Sequence, residues 1–425
     1  MVLFHSSIKT PRLDYILDYL FKNRLSVDYA IISELPEIEN KSQLLINYSD
    51  SVLPNAWNII PSGLLNQDRI FPQNTNFLKY TDQEPDLNDQ TFDVFSAMFF
   101  HLSRYEEYLE NEKDEHGRFT WKSSCISKAN LLEIPFIDQW VNKIAQFIQS
   151  RIQIEVSTHF KYEVQPTMDI DSVYAYSGRS VFRNIGAMAQ NLLKFNFKEI
   201  QSRLSVILLG NPDPNDNFKL QEEILGNRKM RYFVQVSDYG PYDKNIDVKH
   251  PGFKAILKKL FNSSHTIGLH PGYKSFKSSS TVLLEKLRLE NAIESKITSS
   301  RQHFLRFELP HSYRILIEHH FQEDHSMGYS EVPGFRAGTA CPFFWFDLEK
   351  NCSTTLKIVP FCCMDVAFKQ FLKLNPEQTV AHVIKIKEKL KTLDVPFVFV
   401  FHNESLSNHR GWENWQYVFR NWISE

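Results

Sequence analysis

Two aspartates separated by one residue, Asp169 and Asp171, end the apolar segment EVQPTMDID. Side chains two residues apart in a strand point the same way, so both carboxylates would face one side. Two like charges this close repel each other, and such a pair usually goes with a metal ion, an arginine or a shifted pKa. The alternative is a pair of turn or helix-capping aspartates, which needs no ligand.

Three histidines stand where they could bind a metal or transfer a proton. His270 in IGLHPGY and His402 in VFVFHNE each end an apolar, strand-like run. An imidazole beside a carboxylate is a common zinc site, so His270 is a candidate ligand. His402 suits a general acid for a leaving amine, or is a satisfied strand-end histidine. His303, flanked by aromatics and two arginines, is either a second imidazole ligand or a buried, hydrogen-bonded histidine. Further candidates are His311, His319 and His320.

The segment 334–343, GFRAGTACPF, combines Arg336 with flexible glycines and a Pro-aromatic end. Such a loop can present a backbone N–H to an oxyanion while the guanidinium orients a carboxylate. Asp365, after the apolar run IVPFCCM, is the predicted partner of Arg336. An aromatic-rich surface loop is the alternative.

The predicted secondary structure that must position these residues changes near residue 160. Helical spacing of apolar residues predicts helices over 11–24, 91–111 and about 136–153, with a strand at AIISEL, so residues 1–160 form an α+β N-terminal domain. From residue 161 to 425, short apolar strands alternate with helical stretches, which predicts an α/β fold, a β/α barrel with its site at the strand ends. We expect an insertion near 177–230. The predicted strands are EVQPTMDID, YFVQVSD, TIGLH, ILIEHH, LKIVPFCCMD and PFVFVFHNE.

Bulk composition excludes several classes of protein. With 48 basic and 50 acidic residues the net charge is −2, so no global field attracts nucleic acid. The chain has no signal-peptide pattern and no long apolar run, which favours a cytoplasmic protein without an integral membrane segment. Five cysteines without a CxxC spacing argue against disulfides and thiolate zinc sites.

In their order along the chain, these segments resemble the five motifs of the polysaccharide deacetylases, the NodB-homology carbohydrate esterases. The resemblance covers about 163–405. In addition, SRYEEY and GRF near 103–119 are similar to the N-terminal domain of Bacteroidetes-type two-domain homologues. The resemblance implies a distorted (β/α)7 barrel.

The resemblance also implies roles for individual residues. The family's second metal-binding histidine would fall at Lys274, so His303 would have to supply the third ligand from a neighbouring loop. The implied roles are a catalytic base at Asp169, metal ligands at Asp171 and His270, an orienting arginine at Arg336 paired with Asp365, and an acid at His402.

The implied reaction is hydrolysis of an N-acetyl group on an amino-sugar glycan, with a divalent metal, zinc by preference, activating water. A sugar-nucleotide glycosyltransferase that uses Asp169 and Asp171 as a DxD metal site is an alternative, and so is a glycan-binding barrel without catalysis, which Lys274 prompts. The sequence leaves the oligomeric state open.

Overall fold

The chain is an α/β protein with two β-sheets, described here from a computed structural model. The structure describes residues 1–7, 9–35, 43–75, 78–79, 86–152 and 155–424. The strands are β1 (Val2–His5), β2 (Tyr29–Ile32), β3 (Leu44–Tyr48), β4 (Trp57–Ile59), β5 (Val164–Ile170), β6 (Arg231–Val234), β7 (Thr266–Leu269), β8 (Ser299–Ser300), β9 (Glu323–Asp324), β10 (Phe343–Asp347), β11 (Cys352–Ile358), β12 (Cys363–Met364) and β13 (Phe397–His402). The α-helices are α1 (Pro11–Leu17), α2 (Val94–Leu102), α3 (Cys125–Lys128), α4 (Phe136–Ile152), α5 (Val181–Leu193), α6 (Phe197–Leu209), α7 (Phe218–Leu225), α8 (Pro251–Asn262), α9 (Ser279–Ile293), α10 (His311–Glu318), α11 (Pro376–Leu393) and α12 (Trp415–Ile423).

The smaller sheet contains the first four strands in the order β2-β1-β3-β4, all parallel. Helix α1 begins at Pro11, whose missing N–H suits a first helical turn, after Thr10 caps the backbone of Leu13. It continues as a π-helical stretch over Asp18–Arg24, so the helix predicted for 11–24 is present. Helix α4 turns a regular apolar face inward, as its spacing predicted.

The larger sheet has the order β10-β11-β9-β8-β7-β6-β5-β13-β12, and all neighbours except β10 and β11 are parallel. Strand β11 pairs with β9. The same stretch of chain then donates from the Phe361 amide to the Met327 carbonyl, and from the Cys362 amide to the Val398 carbonyl. It continues as β12, which pairs with β13. Residues 352–364 therefore link the β9 side of the sheet to the β13 side.

Helices fill the connections between these strands, with one expected strand replaced by a helix. Three helices, α5 to α7, lie in the predicted insertion between β5 and β6. The segment ILIEHH is not a strand: its first four residues end α10, in which Tyr313 and Leu316 are buried one turn apart. A short apolar run fits a buried strand and a buried helix equally well, so its pattern alone was ambiguous.

The two sheets share one continuous hydrophobic core. The ring of Phe346 on β10 lies 5.2 Å from Tyr15 on α1 and 5.1 Å from Phe99 on α2. Among the described residues, no helix is both long and apolar enough to cross a bilayer.

A buried ion cluster also joins the two parts of the chain. Glu107 Oε1 accepts hydrogen bonds from Arg104 Nε at 2.8 Å and Arg336 Nε at 2.9 Å, and its Oε2 accepts one from Arg336 Nη2 at 2.7 Å. The predicted pairing of Arg336 with Asp365 is therefore wrong. The guanidinium is instead fixed by a bidentate contact with a residue some two hundred positions earlier, which no local pattern reveals.

Replacing Glu107 with glutamine is expected to destabilise the protein by about 3–5 kcal/mol, because the buried guanidinium of Arg336 would lose its counter-charge and that of Arg104 would keep only Glu106. Burial alone would raise the pKa of Glu107, but Arg336 and Arg104 outweigh it and hold that pKa below the usual glutamate value. The carboxylate's contribution is thus present above pH 4.5 and is lost as the pH falls through the lower folded-state pKa. Urea unfolding at neutral and acidic pH tests this, with exposed Glu110→Gln as control. Equal stabilities of the two variants would contradict it.

Candidate active site

The polar residues that follow the strands of the larger sheet meet at one edge, because the carboxyl ends of parallel strands lie together. Asp169 in β5 pairs in register with His402 in β13 on one side and Phe233 in β6 on the other. The residues delivered to this edge are Asp169 near the end of β5, Asp171 directly after it, His270 after β7, Arg301 and His303 after β8, Asp365 after β12 and His402 at the end of β13.

Asp171, His270 and His303 form a cluster with the donor set of a metal site. One potential ligand atom from each lies within 4.8 Å of the others. His270 Nε2 is 3.2 Å from Asp171 Oδ1, and His303 Nε2 is 3.6 Å from Asp171 Oδ2. Both Asp171 Oδ1 and His270 Nε2 are buried without a hydrogen-bond partner among the described residues. Buried polar atoms are normally satisfied, so these two fit a shared cation.

The other nitrogen of each imidazole is held by a neighbour, which fixes the ring. His270 Nδ1 donates to the Arg301 carbonyl at 2.6 Å, and His303 Nδ1 donates to Asp243 Oδ1 at 2.9 Å. Asp243 is buried and also accepts from the Gln235 side chain and the Tyr273 amide. In both rings Nε2 is therefore left to face Asp171, as a metal ligand requires.

The protonation states of Asp171 and His303 depend on each other. Burial would raise the pKa of Asp171, but the imidazoles of His303 and His270 hold it well below the usual aspartate value. Burial would lower the pKa of His303, but Asp171 and Asp243 raise it to about 9. A cation must therefore displace a proton from His303, so its affinity for the cluster is expected to rise with pH.

An arginine fixes Asp169 in place beside this cluster. Arg301 Nη1 donates to Asp169 Oδ1 at 2.7 Å and its Nη2 donates to Thr167 Oγ1 at 2.8 Å. The guanidinium is fully buried and lies 4.3 Å from the Phe233 ring centroid. Asp169 Oδ2 remains directed at the cluster, 3.9 Å from His270 Nε2. Arg301 thus has the orienting contact that the sequence assigned to Arg336.

His402 lies on the opposite side of Asp169 and is supported by Asp365. Its Nδ1 donates to Asp365 Oδ1 at 2.7 Å and its backbone N–H donates to Asp365 Oδ2 at 2.8 Å, while Nε2 lies 4.0 Å from Asp169 Oδ2. Burial would lower the pKa of His402, but Asp365 together with Asp171 and Asp169 raises it to about 10. These carboxylates therefore favour the cationic imidazole at neutral pH, with a donor N–H at Nε2.

A pocket of about 270 Å³ is lined by five of these residues, which are Asp169, Asp171, His270, His303 and His402. Its wall includes the aromatic rings of Phe304, Phe371 and Trp412, and the carboxyl of Glu404. His116 also lines it, although it belongs to the N-terminal part of the chain. A volume near the lower end of small-molecule pockets fits a single small ligand moiety.

The turn that carries His303 has an unusual backbone. Phe304 and Leu305 both have positive φ, 61° and 49°, a conformation that costs non-glycine residues about 1–3 kcal/mol each. Arg118 Nη1 donates to the Phe304 carbonyl at 2.6 Å, and Arg306 Nε donates to the His116 carbonyl at 2.8 Å. The loop around residues 114–118 therefore holds this turn in place.

The structure brings together six of the seven residues to which the sequence assigned roles, which are Asp169, Asp171, His270, His303, Asp365 and His402. Arg336 lies elsewhere, and His311, His319 and His320 do not line the pocket. Sequence reasoning did not identify Arg301, Asp243 or Glu404 as site residues. Arg301 had a usable signal, since it precedes His303 by two residues beyond the same strand; Asp243 had none.

Asp243→Ala is expected to weaken binding of a divalent cation by about 10–100-fold, because His303 would lose the acceptor that fixes its Nδ1 proton. Isothermal titration with zinc measures the effect. The matched control is Asp238→Ala, an acidic side chain that is 79% exposed and contacts Arg288. Equal affinities for both variants would exclude the positioning role of Asp243.

Comparisons with known proteins give one family match and several distant structural likenesses. A model described as a family of unknown function (DUF7033) matches residues 1–153. No curated protein matches the chain.

Among solved structures, the chain is similar to a protein assigned as a polysaccharide deacetylase from Mycobacterium smegmatis, at 13% identity over 62% of this chain and 83% of that one, with a TM-score of 0.37. It is also similar to Puue allantoinase, at 9% identity over 62% and 83% of the two chains, with a TM-score of 0.41. A third is a protein assigned as a polysaccharide deacetylase from Pseudomonas aeruginosa PAO1, at 12% identity over 62% and 84%, with a TM-score of 0.39. Identities this low carry no information about substrate.

Proposed function

We propose that this protein is a metal-dependent hydrolase of the polysaccharide deacetylase kind, which removes N-acyl groups from amino-sugar glycans. The observation that carries the proposal is the cluster of Asp171, His270 and His303 beside Asp169, with His402 Nε2 4.0 Å from Asp169 Oδ2. The larger sheet is then a distorted (β/α)7 barrel. Its support is residues 352–364, which link the two sides of the sheet.

The residues divide into a cation-binding set and a proton-transfer set. Asp171, His270 and His303 would hold the cation, and one carboxylate with two imidazoles is a donor set that suits zinc. A bound divalent cation polarises an acyl carbonyl and lowers the pKa of water.

The remaining steps belong to side chains of this chain. Asp169 Oδ2 accepts the proton of the attacking water as the new C–O bond forms, while Arg301 keeps Oδ1 in place. The amide C–N bond then breaks, and His402 Nε2 donates its proton to the leaving nitrogen. Asp365 holds the other ring nitrogen and favours the cationic ring that this step requires.

The glycosyltransferase alternative gives no role to His270 and His402, whose nitrogens surround Asp169 and Asp171. The discriminating experiment measures acetate release from N-acetylated chitooligosaccharides by the chain stripped of metal and reloaded with zinc. Zinc-dependent release supports the proposal. Thermal stabilisation by a nucleotide sugar without any acetate release would favour the glycosyltransferase.

A further inference from the structure

The helical hairpin formed by α5 and α6 exposes apolar side chains and buries polar ones. A surface helix normally buries its apolar side chains and exposes its polar ones. In α5 the only buried residue is Asn184, and in α6 two of the three buried residues are Glu199 and Arg203. Most of the large apolar side chains of both helices are exposed instead, with Val206 the buried exception.

The outward side chains form an extensive apolar surface. Six of them are at least 70% exposed, and this surface accounts for the most exposed large apolar residues of the described chain. They are Val181, Phe182, Leu193, Phe195, Leu208 and Leu209. An exposed apolar surface of this kind marks a site of interaction.

Polar contacts on the inner side attach the hairpin to the body. Asn184 accepts a hydrogen bond from Arg203 at 2.7 Å, which links the two helices. Glu199 accepts from the Arg410 guanidinium, which fixes α6 to the segment before α12. The inward face thus carries buried polar contacts, so the apolar face cannot be covered by rotating the helices without breaking them.

The hairpin has an excess of basic residues. Residues 178–211 contain five basic residues and one acidic residue, and that acidic residue is the buried Glu199. The tip between the helices reads Lys194-Phe195-Asn196-Phe197-Lys198, so two exposed phenylalanines stand between two exposed lysines. Phe195 is 79% exposed and Phe197 is 59% exposed.

Apolar rings set among lysines, with no exposed acid in residues 178–211, complement the surface of an anionic lipid bilayer. The rings enter the boundary between headgroups and acyl chains, and the ammonium groups stay at the level of the phosphates. A protein partner would need a matching acidic rim around an apolar groove, whereas an anionic bilayer offers both features over any area. We propose that the hairpin docks this protein on anionic membrane surfaces.

This surface is independent of the hydrolase proposal, although the two sites are close in the fold. The hairpin enters through residues directly after Asp171, and Arg179 Nη2 donates to Ser172 Oγ at 3.3 Å. Docking would therefore bring the chain segment that follows Asp171 near the bilayer.

The test is co-sedimentation of the full chain with sucrose-loaded vesicles of phosphatidylcholine, with or without about one third phosphatidylglycerol. We expect binding to the anionic vesicles that weakens in about 0.5 M salt. Phe195→Ser with Phe197→Ser should lower the partition coefficient at least about tenfold. Lys194→Ser with Lys198→Ser should lower the ratio of the partition coefficients for anionic and neutral vesicles about tenfold.

The matched control is Leu284→Ser with Leu287→Ser on α9, which replaces two apolar residues that are 47% and 45% exposed. It should bind vesicles as the unchanged chain does, and all three variants should keep the thermal midpoint. Absence of vesicle binding, or equal binding by the phenylalanine variant, would overturn the proposal. A dimer in solution that the phenylalanine variant dissociates, without vesicle binding, would assign the surface to a second copy of the chain.

Discussion

Asp171→Ala is expected to abolish divalent-cation binding and, with it, acetate release. The change removes the only carboxylate of the cluster, leaving two imidazoles whose Nε2 atoms now face Asp171. Two neutral nitrogens are a poor site for a divalent cation, so affinity should fall by more than about 100-fold, which exceeds the loss from a supporting residue. Metal content after dialysis and zinc-dependent acetate release measure the two effects.

Asp238→Ala again serves as the control, since it removes an exposed acid near the same edge and leaves the cluster complete. The assignment would fail if the Asp171 variant retained a full equivalent of metal. It would also fail if acetate release continued at the unchanged rate after metal removal.

Asp169→Asn is expected to lower kcat by about 10²–10⁴-fold while metal content stays the same. The amide cannot accept the proton of the attacking water, yet its oxygen can still accept from Arg301. KM should change little, because Asp169 acts on the proton and not on the glycan. Single-turnover acetate release and metal analysis of the same preparation separate the two quantities.

The loss of activity in the Asp169 variant must be distinguished from a loss of stability. In this variant the buried guanidinium of Arg301 lacks a counter-charge, so the thermal midpoint should fall. Activity assays are therefore made well below that midpoint. Loss of metal in parallel with activity would show that Asp169 is a ligand and not a base.

The sequence predicted the site best where an apolar run ends in a polar residue. Such runs become parallel strands, and parallel strands deliver their next residues to a common edge. Asp169, His270 and His402 were found in this way and lie around one pocket. The second imidazole was also within reach, since His303 follows β8 as His270 follows β7.

The contacts between distant segments could not be predicted. Arg301 and Arg336 carry the same guanidinium group, and only the fold shows that the first contacts Asp169 and the second Glu107. Asp243 lies in an irregular stretch after β6, without a periodic pattern around it. Its role depends on a hydrogen bond to a residue sixty positions later.

The contact between Arg118 and the turn at Phe304 limits how the two parts of the chain can be exchanged during evolution. Arg118, in the N-terminal part, binds the backbone of the turn that presents His303, and Glu107 neutralises Arg336 across the same boundary. A recombination event that joined residues 161–425 to an unrelated N-terminal partner would lose both contacts at once. We therefore expect a stable chimera of this kind to need compensating replacements on both sides of the junction.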